Sequence, residues 1–116
     1  MNNIVIYHNP RCRKSRETLN LIKSNNIEPT IILYLKEKLL KKDIFSILKK
    51  LDLHPRKLLR NSEIEYKNNN LSDPNLTKDQ IVDFMIKYPI LIERPIVIKG
   101  DKAVIARPPE NVLQLI

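Results

Sequence analysis

The chain has 116 residues, with one cysteine, one glycine, no tryptophan, four tyrosines and two phenylalanines. One cysteine has no internal disulfide partner, which agrees with a reducing, cytoplasmic setting; once oxidised, it must be rescued by an external thiol. One glycine is too few for a phosphate-cradling or dinucleotide-binding loop, so kinase and nicotinamide chemistry are excluded. The scattered aromatics provide no stacking platform for nucleic acid. No apolar run reaches the length of a membrane span, and no basic region leads into a long apolar segment at the N-terminus. The expectation is a protein with neither anchor nor signal peptide.

Positive charge is abundant, with a net charge of +8. Much of it is lysine, and Ile, Lys and Asn together supply 43 of the 116 residues. That bias accompanies codon usage drifting towards A and T, so the lysines are weak evidence for a nucleic-acid partner, and none is expected. The seven arginines carry more information, because that drift does not favour them. Arg11, Arg13, Arg16, Arg60, Arg94 and Arg107 lie in or beside the motifs below, leaving only Arg56 apart.

The apolar run Ile4-Val5-Ile6-Tyr7 reads as a short buried strand, and Leu19 and Ile22 mark a helix from about Arg13 to Asn25. Glu28-Pro29 leads into a second strand, residues 30–34, so the opening unit is β-α-β with a right-handed crossover. Leu40, Ile44, Ile47, Leu48 and Leu51 form one stripe of a helix over 39–51, with lysines on the other face. Pro55 opens a short helix ending at Arg60. His54 reads as a loop residue, and no spacing of His, Cys and carboxylates resembles a metal site. Residues 61–75 read as helical turns and loop. Thr77 is a helix N-cap, and Pro89 ends the helix that follows. Ile96-Val97-Ile98 and Ala103-Val104-Ile105 flank Gly100-Asp101 as a hairpin, and the tail from Glu110 has helical spacing. One domain, 1–116, is expected. The order β-α-β, helices, β-β-α indicates an α/β chain with a thioredoxin-like fold: a small mixed four-stranded sheet with inserted helices.

Cys12 falls where the first strand hands over to the first helix. Unpaired amide N–H groups and the positive end of the helix dipole favour an anion there, which pushes a thiol towards thiolate. Arg11, Arg13, Lys14 and Arg16 add charge that favours thiolate and draws in an anionic substrate. The ordinary alternative is a buried cysteine without chemistry, but four basic neighbours and a proline-set loop argue for a reactive one. Ser15 stands where a C-x-x-C redox pair has its second cysteine, so a dithiol mechanism is excluded and its hydroxyl is expected to donate to the thiolate. Arg60, Arg94 and Arg107 each stand at an element boundary, where side chains can converge. In a thioredoxin-like fold the proline opening the third strand is usually cis and faces the cysteine, which would set Arg94 beside Cys12.

These residues carry a resemblance. Ile6-Tyr7-His8-Asn9-Pro10-Arg11-Cys12 with Ser15-Arg16, Glu28-Pro29-Thr30, Leu58-Leu59-Arg60, Leu91-Ile92-Glu93-Arg94-Pro95-Ile96-Val97 and Arg107-Pro108-Pro109 together resemble the glutaredoxin-dependent arsenate reductase family over nearly the whole chain. The resemblance implies that Cys12 is the catalytic nucleophile, that His8 helps to stabilise its thiolate, and that Arg60, Arg94 and Arg107 hold the arsenate oxyanion. Forked guanidinium groups suit a tetrahedral oxyanion. It further implies that Cys12 attacks arsenate, glutathione reduces the arsenic as co-substrate, and glutaredoxin completes the cycle with release of arsenite. No bound cofactor and a monomer are expected. Two other readings compete: a glutathione-dependent monothiol oxidoreductase, which would not need all three arginines, and a regulator that binds RNA polymerase. The regulatory branch commonly has a C-x-x-C pair, which this chain lacks.

Overall fold

The structure, a computed structural model, describes residues 3–116. Its contacts group the chain into two compact units, Met1–Lys38 with Arg94–Ile116, and Leu39–Glu93. The first holds a four-stranded mixed sheet built from β1 (Ile4–Tyr7), β2 (Thr30–Ile32), β3 (Ile96–Lys99) and β4 (Lys102–Ile105). The strand order is β2-β1-β3-β4. β1 runs parallel to β2, with Ile6 opposite Ile31, and antiparallel to β3, with Ile4 opposite Lys99 and Tyr7 opposite Ile96. The β3-β4 hairpin turns at Gly100, whose φ of 63° is the left-handed conformation expected there.

Helix α1 (Arg13–Ser24) covers the sheet. Ile22 packs with Ile4, Ile6, Val97, Ala106 and Val112 in the buried core of this unit. A fully buried isoleucine contributes about 1.5–3 kcal/mol through removal of apolar surface from water. The 3-10 helix Pro109–Gln114 supplies Val112 to this core and packs on α1. The inner face of α1 begins polar, with Ser15 and Thr18 fully buried ahead of Ile22. Thr18 is satisfied by donating to the Lys14 carbonyl at 2.8 Å.

The second unit contains α2 (Lys41–Leu51), α3 (Ile64–Asn68) and α4 (Lys78–Lys87), with 3-10 helices at Pro55–Leu58 and Pro89–Leu91. α2 packs on α4 through its apolar stripe, in which Ile44, Ile47 and Leu48 are buried. α4 starts at a reciprocal cap: Gln80 N–H donates to Thr77 Oγ1 at 3.1 Å, and Thr77 N–H to the Gln80 side-chain oxygen at 2.8 Å.

Several boundaries differ from the sequence expectation, each for a local reason. β2 stops at Ile32 because Leu33 N–H is taken by the Glu37 carboxylate at 2.7 Å and the Leu33 carbonyl accepts from the Lys36 and Glu37 amides. That closes a turn over 33–37 in place of two more strand residues. α2 starts at Lys41 because the Asp43 carboxylate accepts from Leu40 N–H at 3.2 Å and fixes the first turn. The short helix at Pro55 ends before Arg60, as Leu59 bridges antiparallel to Ile92 and Arg60 N–H donates to the Leu91 carbonyl at 2.7 Å. Among the described residues, no helix is long and apolar enough to cross a membrane.

Candidate active site

The site forms in the sheet unit, where β1 hands over to α1. Asn9 sets the loop: its side-chain oxygen accepts from Arg11 N–H at 3.0 Å, and its carbonyl accepts from Cys12 N–H at 2.9 Å. The Arg16 guanidinium donates to the Pro10 carbonyl at 2.9 Å and braces the same loop from α1. Cys12 is the helix N-cap residue, in extended conformation, and its carbonyl accepts from Arg16 N–H at 3.0 Å. Its thiol is partly buried.

Two arginines from the other side of the sheet unit reach this sulfur. Arg107 follows β4 and places Nη1 4.0 Å from Cys12 Sγ, while the same nitrogen donates to the Arg94 carbonyl at 3.2 Å. Arg94 precedes β3, and both Arg94-Pro95 and Arg107-Pro108 are cis peptides. Burial alone pushes the Cys12 thiol up. The Ser15 amide, the Arg94 hydrogen bond and charge, and the Lys14 amide act against it, and their sum leaves the thiol below its ordinary pKa. A thiol with a lowered pKa beside two cationic forks yields thiolate more readily, and the forks favour attack on an electrophile that is itself an anion.

The side chain of Ser15 is placed elsewhere than the sequence suggested. Its fully buried hydroxyl accepts from Asn9 N–H at 3.1 Å and lies 2.6 Å from His8 Nδ1, whereas the amide of the same residue acts on the sulfur. His8 is buried at the end of β1, with its own N–H donating to the Ile32 carbonyl at 2.9 Å. Burial, then the charges of Arg16 and Lys23, holds its pKa below the ordinary histidine value. His8 is therefore neutral at neutral pH and ties β1 to α1 through Ser15; it brings no positive charge to the thiol.

The structure thus brings together His8, Cys12, Ser15, Arg16, Arg94 and Arg107. Arg60 belongs to the second unit, where Nε pairs with Glu63 at 3.1 Å and Nη1 with Glu93 at 2.7 Å. The amides of Lys14 and Ser15 are the unpaired helix-start donors expected at Cys12; the part of Asn9 was missed, and an Asn two residues before an amide it can cap is the available signal for it. Among the described residues, no three of His, Cys, Asp and Glu converge as a metal-holding group.

The sequence pattern of the ArsC family matches residues 7–115. The chain belongs to the ArsC family. YfgD of Escherichia coli strain K12 is 46% identical over 97% of this chain and 96% of its own length. The arsenate reductase of Haemophilus influenzae is 44% identical over 97% of this chain and 98% of its own. The solved structure of an arsenate reductase from Vibrio cholerae superposes with a TM-score of 0.96 at 40% identity, covering 99% of this chain and 98% of that one. In this ArsC-family chain the thioredoxin-like sheet therefore holds a lone cysteine at the start of its first helix.

Proposed function

We propose that the chain is an arsenate reductase using glutathione and glutaredoxin. The observation that carries this reading is the Cys12 sulfur at the start of α1, its pKa lowered against burial by amides and Arg94, with Arg107 Nη1 4.0 Å away. The arsenate reductases among its relatives supply the substrate class.

Arg94 and Arg107 lower the repulsion between a thiolate and an arsenate oxyanion and stabilise charge on the oxygens during attack. Cys12 displaces one arsenate oxygen, which leaves as water after protonation, and a sulfur–arsenic bond forms. A glutathione thiolate then attacks the Cys12 sulfur. The sulfur–arsenic pair stays on arsenic, and As(V) becomes As(III) and departs, with protons from water, as arsenite; release thus comes ahead of the glutaredoxin step to which the resemblance assigns it, and Cys12 is left in a mixed disulfide with glutathione. Glutaredoxin removes the glutathione by thiol–disulfide exchange and restores the thiolate. Two thiols thus supply the two electrons. His8 and Ser15 are positioning residues, acting through the loop and the first turn of α1. Resemblance alone assigns Arg60 a part in oxyanion binding, and Arg60→Lys tests it.

The test is arsenate-dependent NADPH consumption coupled through glutathione reductase and glutaredoxin, for the native chain and Cys12→Ser. A rate requiring both arsenate and Cys12 is expected. A rate with small mixed disulfides and none with arsenate would instead assign a monothiol disulfide reductase.

A further inference from the structure

A groove of about 350 Å³ opens beside the cysteine loop, lined by His8–Arg11 on one lip and by Leu33, Leu35 and Lys36 on the other. That volume suits a small ligand. It lies where the parallel strands β1 and β2 end together, the place where α/β sheets leave a crevice. Both lips are fixed by local bonds already described, from Asn9 to the Arg11 amide and from Leu33 N–H to Glu37. Pro10, Leu33 and Leu35 make the groove apolar, and Leu35 is 40% exposed. Arg11 and Lys36 are exposed cations on opposite lips. The steps above leave Leu33, Leu35 and Lys36 without a task.

We infer that this groove seats the glutathione that attacks the thiol-arsenate adduct, with Arg11 and Lys36 receiving its two carboxylates and the leucines packing on its peptide stem. The inference rests on the arsenate reductase reading. Attack on a divalent sulfur proceeds in line, so the incoming thiolate must enter opposite the departing arsenic. The sheet order separates the two: β2 flanks β1 on one side and β3 on the other. Arg94 and Arg107 sit at the start of β3 and beyond the end of β4, so an oxyanion they hold lies on the β3 side. The groove lies on the β2 side. A thiolate leaving the groove therefore reaches Cys12 from the face away from arsenic, forms the new S–S bond, and leaves the S–As pair on As(III). Glutathione enters as the thiolate and the departing As(III) oxyanion takes up protons from water, so this step requires no oxidant.

The experiment is steady-state arsenate reduction, with the Michaelis constants for arsenate, glutathione and glutaredoxin measured separately, each with the other two saturating. Lys36→Glu is expected to raise the glutathione KM roughly five- to tenfold, the scale of one reversed partly exposed charge pair, with the arsenate KM unchanged. Lys36→Gln gives a smaller rise in the same direction. Lys102→Glu makes the same charge change at the hairpin end of the sheet, and both constants stay at their native values. A native glutathione KM in Lys36→Glu overturns the inference while leaving the arsenate reading intact. So does a rise confined to the glutaredoxin KM, which would make the groove a protein-docking face. A native chain without arsenate-dependent turnover overturns the reading beneath it, and the inference falls with it.

Discussion

In residues 39–93, Arg60 is clasped by Glu63 and Glu93, Arg56 donates to the carbonyls of Leu71 and Asp73, and Lys41 pairs with Asp79 and Asp83. In the sheet unit, Arg94 and Arg107 act on a sulfur instead. The helix starts differ in the same way. α4 begins with Thr77 and Gln80 capping each other, and α2 with Asp43 accepting an amide, whereas α1 begins at a cysteine. An oxygen cap turns unpaired amides into helix stability. A thiol in that place turns them into a lowered pKa. The cations named in residues 39–93 meet carboxylates and carbonyls, whereas Arg94 and Arg107 of the sheet unit lie beside a reactive sulfur.

The sharpest way to break this contrast is Cys12→Ser. Arsenite production is expected to fall ~10³-fold or more, while the melting temperature stays within about 2 °C because no packing is lost. Next come Arg94→Lys and Arg107→Lys, which keep the charge and lose the fork. Each is expected to lower kcat/KM for arsenate roughly 10- to 100-fold. Unchanged kinetics in both would leave them without a part in oxyanion binding.

Ser15→Ala sharpens the comparison within the site. It removes the hydroxyl shared by His8 and Asn9, so urea unfolding should show a loss of about 1–3 kcal/mol. The thiol pKa should move less than in Arg94→Lys, because the amide of residue 15 remains. Acid titration of stability reports on the same pair. The folded pKa of His8 is lowered, so the unfolded chain binds its proton first. That contribution is present above the ordinary histidine value, at about pH 6.5, and is lost as pH falls through the lowered folded value. Cys12 follows the same sign at higher pH: its contribution is present above the ordinary thiol value and lost as pH falls through the lowered one. Replacing His8 with Asn should flatten the acid limb alone. The smallest effect belongs to Thr77→Ala, which should cost about 1 kcal/mol in denaturant unfolding with no change in thiol titration.

Much of this was legible in the chain. A short apolar run marked β1, helical spacing and caps marked α1, α2 and α4 to within two residues, and Gly100 with Asp101 marked the hairpin. Cys12 stood out through its basic neighbours and its place before a helix. What stayed hidden was partner choice. A serine hydroxyl three residues after a cysteine can face the sulfur or the preceding loop, and only the buried His8 ring and Asn9 amide decide for the loop. Arg60 looked like Arg94 and Arg107 by its boundary position, yet Glu63 and Glu93 claim its guanidinium. Leu33 and Tyr34 continued the strand pattern until a side chain four residues on, Glu37, took the Leu33 amide. Such choices depend on chain segments brought together by folding, which local periodicity does not record.

The most direct test of the central claim is a single turnover with arsenate and glutathione, glutaredoxin omitted, reading arsenite released and the mass of the Cys12 peptide. The account predicts one arsenite per native chain and one glutathione added to Cys12, with neither in Cys12→Ser. Arsenite released by Cys12→Ser at the native rate, or glutathione consumed by the native chain without arsenite, would contradict it.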